Sequence, residues 1–448
     1  MRVLHTLLVS GVLMMTLPAY GTELQQVSLR EAITRGLERN NQTRIARFQA
    51  EAARSAAQGA ALHYLPSLTV EEAWTRSNVP VNAFMMKLNQ GRFTNQDFTT
   101  DRLNDPAPVS DFRSSVIIEQ PLLVPAAWAA GRSATRGAER QEALSEHARQ
   151  QIGYQVFLHY LEVHKTKAYL QASEKAVAEA RESHRQAIVR TKAGMGLKSD
   201  ELRAATHLAA MEQQAISRAN DLTLARMQLA LVTGGQPGEE LDAVEPVQIK
   251  MPQQTPEQLT QLAHQLRHDL QASELGKQQA DAALLQARAG FLPTIGAFGS
   301  WQMNDPTTPL GREHDAWAAG VTLRWNLFDG LRTWHADSQA SATRSAAIER
   351  VEQARKEISY QVQEAWLRRM EAEKRLEVAR TAVLAAEEAT RLLSKRFDNA
   401  LATMFELLDA QSATNQSRAN LVESEASLVQ ATGRIYFVAG TFLKEVAQ

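Results

Sequence analysis

No cysteine occurs among the 448 residues. That absence excludes disulfide scaffolds, thiolate metal sites, thiol nucleophiles and attachment through an acylated N-terminal Cys, so any hold on a membrane must come from the fold itself. Neither sign of charge dominates: 49 Lys+Arg stand against 50 Asp+Glu, which removes the basic footprint of a nucleic-acid binder. Aromatic residues are scarce at 6%, and Ala, Gln, Glu, Arg and Leu crowd the chain, a composition that favours very long helices over compact α/β domains. Nucleophile elbow, phosphate loop and zinc-helix motifs are missing. Gly153 and Gly194-Met195-Gly196 are too scattered for a nucleotide loop, and the latter reads as a helix-to-helix turn. His264 and His268 stand at i and i+4, but with Arg267 and Asp269 between them they read as an exposed helix face and not as a metal site. An enzyme is not expected, nor a cofactor.

The N-terminus has the pattern of an export signal. Arg2 supplies the positive start, Leu4 to Leu17 form an apolar run too short to span a bilayer, and Ala19-Tyr20-Gly21 offers small residues for cleavage. Residues 1–21 are read as the signal peptide. Its removal leaves 48 basic against 50 acidic residues, a formal charge of −2. No later stretch has about 18 uninterrupted apolar residues, so a membrane protein of this sequence would cross through strands.

The remaining chain is two copies of one plan. Ala61-Leu62-His63-Tyr64-Leu65-Pro66-Ser67-Leu68 matches Arg288-Ala289-Gly290-Phe291-Leu292-Pro293-Thr294-Ile295, and Gln120-Pro121-Leu122-Leu123 matches Trp325-Asn326-Leu327-Phe328. Arg190, Gly194, Asp200, Leu202 and Ala204 match Arg396, Ala400, Glu406, Leu408 and Ala410 in the same order. The offsets place an insertion of roughly twenty residues within 69–110, where Pro, Asn, Asp and Gly cluster as in a surface loop. The first repeat is assigned to 22–232, the linker to 233–255 and the second repeat to 256–448. Breakers at Gly234-Gly235, Pro237-Gly238, Pro246 and Pro252 mark the linker.

Each copy reads as helix, two strands, very long helix, sharp turn, helix. From Trp128 to Ala193 there is no Pro, and about 65 residues at 1.5 Å each make a rod of roughly 100 Å. In the second copy, positions 351, 355, 358, 362, 365, 369, 372, 376, 379, 383, 386, 390, 393 and 397 follow coiled-coil spacing, and only Arg355, Arg369 and Thr390 there are not apolar. The shorter helices, about 28–61 with 199–232 and 256–290 with 404–437, each pair into the length of one rod. Turns at 192–200 and 398–405 form the far tips.

Strands are expected at about 66–78, 111–121, 293–304 and 315–327. In the last, Trp317, Ala319, Val321, Leu323 and Trp325 share one face while Ala318, Gly320, Thr322, Arg324 and Asn326 share the other. One face suits lipid and one suits water. Ile295, Ala297, Trp301 and Met303 continue the apolar face, and Trp301, Trp317, Val321 and Trp325 are the candidate lipid-facing belt. Leu68, Val70, Trp74, Phe112, Val116 and Ile118 give a weaker copy that Glu72 and Ser114 interrupt. Four strands cannot close a barrel, two chains give eight with a side-chain-filled interior, and three give twelve with room for a lumen. A homotrimer is the smallest symmetric assembly that makes a pore.

These features together resemble the TolC-type outer-membrane efflux channels. The resemblance rests on the signal, the duplicated plan, Leu65-Pro66 and Leu292-Pro293 before strands, Gln120-Pro121-Leu122 and Asn326-Leu327-Phe328-Asp329-Gly330 after them, and the two Arg-x-x-x-Gly/Ala tips. It implies a mostly α fold with membrane strands: a trimeric twelve-stranded β-barrel in the outer membrane of a Gram-negative bacterium, continued by an α-barrel of coiled-coil helices through the periplasm. It implies a passive exit duct of a tripartite efflux or type I secretion system. The partners would be a periplasmic membrane-fusion adaptor, a resistance-nodulation-division or ATP-binding-cassette pump, and outer-membrane lipid. Loops 79–110 and 304–314 would face outside, and 233–256 would form an equatorial belt. From another class, the alternative is a periplasmic coiled-coil scaffold or adaptor without a pore.

By the same resemblance the tip residues Gly194, Gly196, Ala400 and Leu401 would meet the adaptor, and both glycines would permit backbone angles that a larger residue resists. Glu406 and Asp409, three apart on one helix face, would give a trimer two rings of carboxylates. They match the acidic constriction of the family, and Asp200 matches the acid that helps hold the closed tip. Phe397 and Ala402 depart from the family pattern, since they stand where a hydroxyl and a guanidinium latch the helices in its best-known member; closure must rest on packing or other charges.

Overall fold

A computed structural model describes residues 24–446, so the signal assigned to 1–21 lies outside the described residues. The first repeat runs β1 (Gln25–Val27), α1 (Leu29–Arg39), α2 (Asn41–Ala61), β2 (Ser67–Ser77), α3 (Pro80–Asn89), α4 (Thr100–Asn104), β3 (Val109–Leu123), α5 (Pro125–Lys192) and α6 (Lys198–Val232). After the connecting strand β4 (Leu241–Ala243), the second runs α7 (Pro256–Leu266), α8 (His268–Arg288), β5 (Thr294–Asp305), β6 (His314–Arg324), α9 (Arg332–Asp398) and α10 (Met404–Val438), with α11 (Phe442–Glu445) at the end.

The rods are as long as uninterrupted helix propensity allows. α5 has 68 residues and α9 has 67, about 100 Å each. The coiled-coil spacing in α9 is its packed stripe: Val351, Ile358, Val362, Ala365, Ala372, Leu376, Ala379, Val383 and Phe397 are all buried. Two of its polar positions are occupied by interhelical pairs, the exposed Arg355 to Glu274 at 3.0 Å and Thr390 to Thr414 at 2.8 Å, so polarity there is paired across helices. α10 packs along α9 and α6 along α5, while α2 and α8 cover the other half of α5. Small residues make that close approach possible: Ala176, Ala180 and Ala187 of α5 and Ala204 and Ala225 of α6 are all buried.

The shorter helices differ from the sequence expectation. The segment 28–61 breaks at Asn40 and 256–290 breaks at Arg267, each held in extended backbone. Asn40 caps α2 by accepting the Gln42 amide at 2.8 Å and ties the break to α6 by donating to the Val232 carbonyl at 2.8 Å. Arg267 is also a junction: its guanidinium donates to Asp269 at 2.6 Å and Gln361 at 2.7 Å, with its side chain only 10% exposed. His264 is exposed as expected, while Arg267, His268 and Asp269 are half-buried at the corner, and the two histidines lie on different helices and not on one face. No cluster of metal-ligating side chains occurs among the described residues.

The linker holds structure that its breakers concealed. β4 pairs in parallel with β1, Gln25 opposite Leu241 and Val27 opposite Ala243. This strip seals the largest core, where Tyr154, Phe157, Tyr160, Leu229 and Phe442 meet near the middle of the rods. The Tyr160 hydroxyl lies 3.3 Å from the carbonyl oxygens of Val27 and Glu245, joining rod, N-terminal strand and linker. Beneath it, burial alone would raise the Asp242 carboxyl, but Arg226 at 3.1 Å and Lys167 at 3.3 Å hold it below its ordinary value.

Candidate channel wall and tip

At one end of the rods the four long strands form a single antiparallel sheet in the order β2-β3-β5-β6. The register lays side chains from all four strands in rows. Val70 lies opposite Val116, Val116 opposite Trp301, and Trp301 opposite Trp317. A neighbouring row runs Leu68, Ile118, Gly299, Ala319. The alternation read strand by strand thus becomes one largely apolar face shared by all four strands. Its outward side chains have no cover within the chain: Val70 is 69% exposed, Trp317 79% and Val321 68%. Glu72 and Ser114, which interrupt the pattern, are partners, with the serine hydroxyl donating to the carboxylate. The opposite face carries Glu71 and Arg113, paired at 3.5 Å, with Asp111, Gln302, Asn304, Thr322 and Arg324.

Belt dimensions follow from the strand. Trp317 and Trp325 are eight residues apart, about 27 Å along an antiparallel strand and roughly 20 Å along the normal at a 40° tilt, close to the ~25 Å apolar band of outer-membrane barrels. Val321 is midway. Trp325 lies one residue beyond β6, with its indole donating to the Phe291 carbonyl at 3.1 Å, so the connection and not the ladder fixes it. Trp301 is half-buried: its indole donates to Asp315 at 3.0 Å and Arg312 covers its ring. β2 and β6 are the sheet's outer strands, each with one unpaired edge within the chain.

At the opposite end, two helical hairpins meet. α5 ends in a turn where the Met195 amide donates to the Arg190 carbonyl at 2.9 Å and the Gly194 amide to that of Thr191 at 3.1 Å. α9 ends identically, Leu401 to Arg396 at 2.8 Å and Ala400 to Phe397 at 3.0 Å. Both are Schellman closures, which need a left-handed residue at the pivot. Gly194 supplies it at φ +71 without cost, while Ala400 adopts φ 58, a strained conformation for a side-chain-bearing residue. Gly196 differs from the sequence expectation: its φ is not positive, and its role is closeness, because a Cβ there would sit 3.1 Å from Arg190 Cβ.

Sequence reading missed the contact that joins the hairpins. Arg190 donates to the carbonyls of Phe397 at 2.6 Å and Asp398 at 2.8 Å, and its guanidinium lies 4.1 Å from the centre of the Phe397 ring. Its repeat equivalent Arg396 instead closes its own turn, donating to Leu401 at 3.1 Å. Phe397 is buried with Ala187, Ala204, Met404, Leu407 and Leu408. Higher up, Arg418 of α10 bridges Glu179 of α5 at 3.0 Å and Glu387 of α9 at 2.8 Å. The matched pair Arg190/Arg396 was the available sequence signal; carbonyl acceptors leave none.

The three acids occupy different situations. Glu406 is exposed, but its carboxylate accepts the Thr403 amide at 2.7 Å and the Thr403 hydroxyl at 2.9 Å, completing a capping box at the start of α10. These bonds hold its carboxyl below the ordinary value. Asp409 is exposed one turn on, and Asp200 is half-buried in the first turn of α6. Around them Met195, Leu197, Leu401 and Phe405 are exposed, an apolar rim at the end of the hairpins.

The described residues thus form an amphipathic antiparallel wall with two free edges, continued by paired rods and closed turns. Residues 259–441 match the Outer membrane efflux protein family. The match is confined to this second repeat, while the fold over nearly the whole chain is similar to that of solved outer-membrane channels. The fold is similar to that of the CmeC outer membrane channel of Campylobacter jejuni, with TM-score 0.80 and 14% identity over 92% of this chain and 86% of that one. It is similar also to the outer membrane protein VceC of Vibrio cholerae (0.78, 17%, 92% and 96%) and to the open state of the MtrE outer membrane channel of Neisseria gonorrhoeae (0.77, 19%, 94% and 90%). No curated protein matches the chain in sequence.

Proposed function

We propose that the chain is one third of an outer-membrane exit duct: a homotrimer whose twelve-stranded barrel crosses the outer membrane and whose helices extend the passage through the periplasm. The observation that carries this reading is the sheet, with an uncovered apolar face, a polar face and two free edges, rooted in rods of about 100 Å. No helix among the described residues is long and apolar enough to cross a membrane, so the strands carry insertion. Its role is passive conduction for a tripartite efflux or secretion system. The apolar rim at Met195, Leu197, Leu401 and Phe405 suits an adaptor's helical hairpins, and Glu406 with Asp409 forms cation-attracting rings at the entrance. Membrane fractionation with bilayer recording tests it. Extraction from outer membranes only by detergent, as a heat-modifiable oligomer that conducts, is expected; a freely soluble monomer without conductance refutes the duct and leaves a periplasmic scaffold.

A further inference from the structure

The insertion of the first repeat is a folded cap. α3 opens with Pro80 at its first turn and closes at Gln90, whose side-chain amide donates to the Ser110 carbonyl and to Asp111, both at 2.8 Å. Asn304 donates to the other Asp111 oxygen at 2.8 Å, and Gln90 and Asn304 are each 1% exposed. Asp111 belongs to the polar face, so the cap is bolted across the side that a barrel would turn toward its lumen. α3 touches both β3 and β6, crossing the sheet almost to its far edge. Three rings, the half-buried Phe84 and Phe93 and the exposed Phe98, meet edge to face in the cap, and Asp97 pins it through Lys87 at 2.8 Å and Thr94 at 3.0 Å.

One face of this rigid helix is left over. Ala83 and Gln90 point into the structure, whereas Val81, Met85 and Leu88, at i, i+4 and i+7, are 71%, 45% and 46% exposed. We infer that these stripes from three copies pack against one another over the lumen and form an outer constriction, distinct from the acidic rings at the other end. The inference rests on the proposed trimer. The occupant follows from topology: β6 is the edge that receives the next copy's β2, and Ser77 at the end of β2 leads within three residues to Pro80 of that copy's α3. The start of one cap helix therefore falls beside the end of another's crossing. The second repeat carries no such cap between β5 and β6, where only residues 306–313 connect the strands.

The absence of native cysteine makes the test clean. Val81→Cys with Met85→Cys in the full chain, oxidised in isolated outer membranes, is expected to give covalently linked trimers on non-reducing denaturing gels. Single-channel conductance of the Met85→Asp protein is expected to exceed that of the parent. A heat-modifiable oligomer that neither cross-links nor changes conductance overturns the constriction while leaving the duct intact. Loss of the oligomer in the unsubstituted protein overturns both.

Discussion

Replacing Arg190 by Ala removes the link between the two hairpins at the tip. Two hydrogen bonds from a charged donor are lost, at 2.6 and 2.8 Å, each worth about 1.5–3 kcal/mol when fully formed and desolvated. The ring contact at 4.1 Å adds about 0.5–2 kcal/mol. The guanidinium is only half-buried, and water can reach the Asp398 carbonyl once the side chain is gone, so the low end of each range applies and the loss is about 3.5 kcal/mol. At about 1.4 kcal/mol per decade, local opening of the α9 end becomes about 300-fold more frequent. Hydrogen exchange by mass spectrometry reads this directly. Amides of 395–404 should lose protection by that factor, while those around Val351 and Ile358 in the distant core should not change. Arg190→Lys, which keeps charge without a planar fork, should recover less than half the loss in free energy. Unchanged protection of 395–404 in the Ala variant would refute the clamp, and uniform loss along α9 would show that the residue supports the whole rod.

Three further outcomes follow from the wall, the acids and the cap. Val321→Arg puts a charge midway between Trp317 and Trp325 on the apolar face and should cost about 2–4 kcal/mol and reduce assembly, while Thr322→Arg on the polar face should insert normally; equal assembly of both, by heat-modifiability, would remove the assigned faces. Because Glu406 caps α10, the charge is best removed as Glu406→Gln with Asp409→Asn, which keeps an N3 acceptor; cation selectivity and block by multivalent cations in bilayers should fall, and unchanged values would take these residues out of the gate. Asp97, drawn down to about 2 chiefly by the Lys87 hydrogen bond, lies below the unfolded value of about 3.9. Its stabilising contribution is therefore complete above about pH 4 and is lost as pH falls through about 2; proteolysis of the cap should accelerate only in that window, and a midpoint near pH 6 would exclude this ion pair as the cause.

The repeat, the rods and the strand faces were readable because each is periodic, and periodicity survives without any knowledge of partners. Val351, Ile358 and Val362 announce a packed stripe wherever the helix is placed. The helix break at Asn40 also had a signal, since Asn is a strong N-cap, but the break at Arg267 had none: it is held by Gln361 and Val438, far along the chain. The cap was taken for a loop from its Pro, Asn and Gly content, although Pro80 at a first helical turn is itself a start signal. Asp200 and Glu406 were matched between the repeats and Asp409 followed from its spacing and the family resemblance, yet none of these could show that Glu406 is engaged with Thr403. Arg190 and Arg396 looked equivalent because their turns are equivalent; which carbonyls each reaches is decided by the packing of one hairpin on the other.

The two unpaired edges of the sheet, β2 and β6, have a genetic consequence. In the proposed trimer a chain closes its wall with whatever sibling is present, so in a cell making equal amounts of wild-type and defective protein that mix freely, roughly one trimer in eight would contain only sound chains. Lesions that leave the edges able to pair but spoil the tip would thus act as poisons toward the normal allele. Lesions that destroy an edge, and so keep the defective chain out of the ring, would be recessive.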